Sequence, residues 1–147
     1  MIAQTTRYGM GTRVRLSYAD AVSRTKTALA AEGFGVLCEI DIAATLKKKL
    51  DVEFRPYVIL GACNPFLAHR ALQAERDIGL LLPCNVIVYA ADEPGECAVT
   101  AMDPVEALQL TGNEAVRSVA EEVRSRLRRV LEAVEHGAAA PGTAGTA

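Results

Sequence analysis

Hydrophobic positions along the chain change rhythm several times, and each change marks an element. From Met10 to Leu16 they alternate, with Met10, Val14 and Leu16 on one side and Arg13 and Arg15 on the other, as in a half-buried strand. At Ser17 the period lengthens. Ser17 offers a hydroxyl cap with Asp20 three residues on, and Tyr18, Val22, Thr25 and Leu29 then recur at helical spacing until Gly33. Alternation returns over Phe34–Ile40, predicting a strand with Phe34, Val36, Cys38 and Ile40 on one face and Gly35, Leu37 and Glu39 on the other. Asp41 caps a short helix over Ile42–Leu50, whose Lys47, Lys48 and Lys49 suit the negative end of the helix dipole.

The middle of the chain, Tyr57 to Tyr89, organises the rest. Tyr57–Ala62 is an almost wholly apolar run, expected to be a strand covered on both sides. Asn64-Pro65 opens a helix, since Asn caps and Pro fits the first turn, where its missing N–H costs nothing. Leu67, Ala71 and Leu72 mark that helix's buried stripe, Asp77-Ile78-Gly79 ends it, and Pro83 introduces a strand over Cys84–Ala91. The turn Asp92-Glu93-Pro94-Gly95 joins this strand to Cys97–Met102 as a hairpin. Asp103-Pro104 starts a short helix ending near Gly112. Asn113 caps the longest helix, with Val116, Ala120, Val123, Leu127, Val130 and Val134 at steps of three and four. The order predicts one α+β domain over residues 8–136, an antiparallel sheet with helices packed on one face. The small-residue tail, 137–147, is expected to be disordered.

Composition narrows the possible roles. The chain has 147 residues, half of them hydrophobic and 23% charged, which suits one folded domain. A net charge of −2 argues against nucleic acid as a partner, because phosphate binding needs a positive surface. No apolar run reaches the ~18 residues that span a bilayer. The first residues lack a basic-then-apolar export pattern, so the expected location is the cytoplasm, with no membrane partner. The four cysteines of a cytoplasmic chain of this size are not expected to form a disulfide framework.

Candidate chemistry lies at two Cys-Asn corners. Cys63 precedes the helix cap Asn64, where free N–H groups and the positive end of the dipole can stabilise a thiolate. Cys84 begins the next strand of the central stretch. If the two strands are antiparallel, the chain must return to the end it left. The seven residues from Asp77 to Pro83 (83 − 77 + 1) can do so, since they reach at most ~25 Å against a helix of ~16 Å. The two cysteines are then expected at one end of the sheet, with His69 of the intervening helix as a possible neighbour. One reading is a thiol site, Cys63 and Cys84 with His69 or a carboxylate, holding a soft metal ion such as zinc or undergoing redox chemistry. The other is that both are small buried hydrophobes, as free cysteines usually are. No standard zinc spacing, phosphate loop, G-x-S-x-G or H-E-x-x-H is present. Cys38 and Cys97 are expected to be structural. Glu39 with Asp41 is a weak acid/base pair, and Arg13 with Arg15 a candidate grip on an anion.

The segments Gly33-Phe34-Gly35-Val36-Leu37, Tyr57 to Pro65 and Leu81-Leu82-Pro83-Cys84-Asn85-Val86 resemble the domain-of-unknown-function 302 family, over roughly Val14 to Pro104. The paired "CNP" and "LPC" corners carry that likeness more specifically than any periodicity. The resemblance implies a TATA-binding-protein-like α+β architecture with an antiparallel sheet and a tendency to homodimerise. It places weight on Cys63, Asn64, Pro65, Pro83 and Cys84, and supplies no catalytic residue. Three functional classes follow. One is a thiol site at Cys63 and Cys84, with Asn64 and His69 beside it. The second is a non-catalytic homodimeric module for a small ligand or a protein partner, with Gly61-Ala62 and Gly9 to Gly11 as places of close approach. The last is docking of another protein on an exposed stripe of the C-terminal helix.

Overall fold

The computed structural model describes residues 1–137; the expected disordered tail lies, but for Gly137, outside the described residues. Six strands form one antiparallel sheet in the order β1-β2-β6-β5-β4-β3. They are β1 (Ala3–Thr6), β2 (Gly9–Val14), β3 (Gly35–Asp41), β4 (Tyr57–Cys63), β5 (Cys84–Ala90) and β6 (Cys97–Met102). Helices α1 (Tyr18–Ala31), α3 (Pro65–Ala74), α4 (Pro104–Leu108) and α5 (Glu114–His136) pack together, α1 and α5 against the sheet. The short α2 (Ile42–Leu50) links β3 to β4 and buries no residue. The fold is α+β, as the pattern predicts, and its topology fits the architecture that the resemblance implies.

Most boundaries follow the capping residues. Ser17 Oγ accepts from the Asp20 amide at 3.1 Å, Asp41 from Ala44 at 2.9 Å, and Asn113 from Ala115 at 2.9 Å. Each side-chain oxygen satisfies an amide that the first turn leaves unpaired. Beyond α3 the chain returns through a 3₁₀ segment, Arg76–Leu81, and Ile78 is buried there. The apolar faces of α1 and α5 meet the sheet in a core that includes Leu29, Leu60, Val86, Val99, Leu127 and Val130. All of the α5 stripe residues named above are buried, so that stripe is not free to dock a partner protein.

Two departures from the sequence reading matter. Strand β1, Ala3–Thr6, lies before residue 8, where the domain was expected to begin. Its sequence, AQTT, has no apolar alternation; pairing with β2 makes it a strand. In β3 the register against β4 shifts between Val36 and Cys38, leaving Leu37 as an extra residue. A bulge of this kind reverses the alternation beyond it. Val36 stays opposite Ala62 on the helix side, while Cys38 falls opposite Gly61 on the other face. Cys38 is therefore exposed and does not sit on the buried face as alternation predicted.

Candidate functional site

The β4–β5 register places Ala62 opposite Cys84, so Cys63 and Cys84 do lie at the same end of the sheet. Chain direction explains it. The 3₁₀ segment retraces α3, and β5 starts beside the end of β4. At this end lies a cavity of about 330 Å³ lined by sixteen residues from β3, β4, β5, α3, α4, α5 and the loops between them. Both cysteines line it, together with Asn64 and Pro83 of the corner motifs. Apart from Asn64 and the two thiols, every lining side chain is apolar or is the hydrogen of Gly79. None is charged.

Helical geometry builds one wall. Leu67, Ala68, Ala71 and Leu72 form a single flank of α3, and all four line the cavity. Opposite them, Ala62 and Cys84 form a floor of small side chains, 1% and 7% exposed. Buried Leu108 of α4 and Val119 and Val123 of α5 line the cavity as well. At the outer end stand Leu37, 68% exposed, and Leu72, 42% exposed. The bulge explains Leu37: as the extra residue of β3 it joins Phe34 in the lining instead of taking the face that alternation assigns it.

Asn64 has a structural role. Its Oδ1 accepts from the Leu67 amide at 3.3 Å and its Nδ2 donates to the Glu32 carbonyl at 3.5 Å, tying the start of α3 to the end of α1. Arg126 Nη1 donates to the same carbonyl at 3.1 Å. Gly33 is required here for two reasons. Its φ is +85°, and a Cβ would lie 2.9 Å from Asn64 Nδ2.

The electrostatics of the thiols run opposite to the expectation of an activated thiolate. Burial pushes the Cys63 thiol up from its ordinary value. Cys84 is pushed up to about 12, chiefly by burial and further by the neighbouring Cys63. At Cys63 burial outweighs whatever the helix start contributes. A neutral thiol is a poor nucleophile and a poor metal ligand. Among the described residues, no three His, Cys, Asp or Glu side chains gather so as to hold a metal ion. His69 is exposed on α3, off the cavity flank. All four cysteines are free thiols, and Cys97 Sγ donates to the Leu16 carbonyl at 3.5 Å as a packed residue.

The remaining candidates resolve locally. Glu39 pairs with Lys26 of α1, and Asp41 caps α2. Arg13 and Arg15 both reach Glu96, at 3.8 and 3.7 Å. The glycines marked for close approach face their own sheet. A Cβ at Gly61 would lie 2.6 Å from Cys38 Sγ, and one at Gly11 would lie 2.7 Å from the Val99 carbonyl oxygen. The cavity itself was not visible in the sequence. The clustering of Ala68 and Ala71 with Leu67 and Leu72 was its one local trace, and it reads equally as a packed stripe.

Fold and site together define a single-sheet α+β domain with an apolar cavity at the corner where its two cysteine motifs meet. The chain belongs to the family described as domain of unknown function DUF302, whose model matches residues 10–134. The match runs into α5, so the C-terminal helix is part of the shared unit and not an addition beyond Pro104. A crystal structure of an uncharacterized conserved DUF302 protein from Bacillus stearothermophilus is 28% identical in sequence. It superposes with a TM-score of 0.79 over 86% of this chain and 98% of that one. No curated protein matches the chain. Among the described residues no helix is long and apolar enough to cross a membrane.

Proposed function

We propose that this chain is a non-catalytic module that binds a small apolar molecule in the cavity at the Cys63–Cys84 corner. The uncharged lining of that cavity carries the reading. Ligand pockets typically occupy ~300–1,000 Å³ with mostly apolar walls and a few polar groups, and 330 Å³ falls at the small end of that range. The space opens to the surface past exposed Leu37 and Leu72, so a ligand has a way in. Neutral cysteines suit such walls, since each behaves as a small hydrophobe. The thiol reading has less support, given two thiols raised by burial and no third ligand beside them among the described residues.

Naphthalene, as a probe of suitable size, is the direct test by ligand-observed NMR on the full chain. Binding to the wild type and loss in Ala68→Phe, which fills the α3 side of the cavity, is the expected result. An absence of binding to a folded wild type would refute the proposal. The homodimer and the cytoplasmic location belong to the same reading. Native mass spectrometry on protein purified anaerobically without chelator reads subunit number and bound mass together. A retained organic mass supports the module, whereas a metal mass lost on Cys63→Ser would move support to the thiol site.

A further inference from the structure

The apolar run Tyr57–Ala62 predicts a strand covered on both sides, and the helices cover it on one. Val58, Leu60, Val86 and Val88 share the core with Leu29 of α1 and Leu127 of α5. The residues between them face away, because side chains alternate along a strand. There Ile40, Ile59 and Ile87 stand in one row across β3, β4 and β5. Beside that row Tyr57 stands opposite Tyr89, their rings stacked at 5.2 Å, and Phe54 lies 6.1 Å from Tyr57. In a single chain Ile40 and Phe54 are exposed and the other four half-buried. Among the described residues, Arg13 is the only charged one at the outward strand positions, and Glu96 lies 3.8 Å from it. An antiparallel sheet with one wet face ordinarily turns polar residues to that side. This one turns isoleucines and aromatic rings there, and monomers rarely expose so continuous an apolar patch.

We propose that this face is where two copies of the chain meet, sheet against sheet about a twofold axis. The inference rests on the homodimer of the preceding reading and assigns its interface. Area favours a second copy. Six strands at ~4.8 Å spacing, with about six residues each at ~3.3 Å, give a flat footprint of roughly 570 Å². Side-chain relief and the Phe54 flank bring it toward the ~800 Å² per partner of a standard interface. Shape and charge agree. Two sheets of identical twist match when packed aligned, and a twofold contact requires a self-complementary patch. With Arg13 beside its own Glu96, the uncharged centre of one copy meets no unpaired charge on the other. Strand pairing at the sheet edges is disfavoured, since β1 has four residues in irregular register and β3 carries the bulge. Cys38, Gly61 and Asn85 border the patch, so Cys38 stays at its rim, open to solvent.

Sedimentation velocity on the full chain over a range of concentrations tests this, with far-ultraviolet circular dichroism on the same samples. The wild type is expected to sediment as a dimer. Ile59→Lys and Ile87→Lys each set a charge at the centre of the buried face and should weaken the dimer more than about 100-fold with the fold retained. Leu72→Lys, at the cavity mouth on the helix side of the sheet, should leave it intact. Tyr89→Ser removes contact without adding charge and replaces a lysine variant that unfolds; it should weaken the dimer at least about tenfold. A dimer unmoved by these folded variants, or one broken by Leu72→Lys, would overturn the assigned face and leave the homodimer standing. A wild type that stays monomeric at the highest concentration would overturn both. Naphthalene binding reads the cavity and is independent of either result.

Discussion

Cys84 makes the stability of this protein fall in mild alkali by an amount that can be worked out. Its thiol is held up from an ordinary value of 9.0 to about 12 in the fold. A raised pKa means that the folded state keeps a proton that the unfolded chain gives up. The associated stability is therefore complete below pH 9 and drains away as pH climbs toward 12. Each unit in that window costs about 1.4 kcal/mol, so near pH 10.5 the loss from this one thiol is about 2 kcal/mol. Domains of this kind are typically stable by only ~5–15 kcal/mol, so the effect is measurable. Cys63, Cys97, Tyr18 and Tyr57 are also raised by burial and lose stability in the same direction. A comparison with Cys84→Ala isolates Cys84, because the other groups titrate in both proteins. Urea unfolding followed by circular dichroism at pH 8.0, 9.5 and 10.5 is the assay. Cys84→Ala should start lower at pH 8.0 and fall less steeply, with the gap closing by about 2 kcal/mol at pH 10.5. Parallel slopes would mean that Cys84 ionises freely in the fold, and the account of a neutral, desolvated cavity wall would then be wrong.

Three further outcomes are expected. Gly11→Ala should destabilise by about 1–3 kcal/mol in chemical denaturation, because its Cβ would lie 2.6 Å from Thr100 Oγ1 and 2.7 Å from the backbone oxygen of Val99. The backbone contact means Thr100→Ala should not restore it. Gly79→Ala, with nothing within 4 Å of its Cβ, should by contrast be neutral or gain up to about 1 kcal/mol. Alkylation by iodoacetamide at pH 8, read by peptide mass spectrometry, should label exposed Cys38 first. Half-buried Cys63 should follow, and buried Cys84 and Cys97 should come last. Early labelling of Cys84 would contradict its place in the cavity floor.

The sequence by itself determined the elements that rest on neighbours three or four residues away. Ser17, Asp41, Asn64 and Asn113 start their helices because a cap is a local bond, and Val116 to Val134 reads as a buried stripe because helical periodicity is local too. Chain economy also allowed one long-range expectation, conditional on antiparallel strands, which the register bears out. The segment after α3 is long enough to retrace the helix, so Cys63 and Cys84 share an end of the sheet. Strand β1 escaped notice because its pairing, not its pattern, makes it a strand. Only the tertiary structure decided the rest. The bulge at Leu37 depends on the register with β4, and it sent Cys38 outward and Leu37 to the cavity. The cavity draws its walls from segments between Phe34 and Val123, and no local pattern records a space that several distant elements fail to fill. The same burial set the thiols against ionisation. The local signal at Cys63, a helix start, pointed to a thiolate, but desolvation depends on what packs around a group in three dimensions.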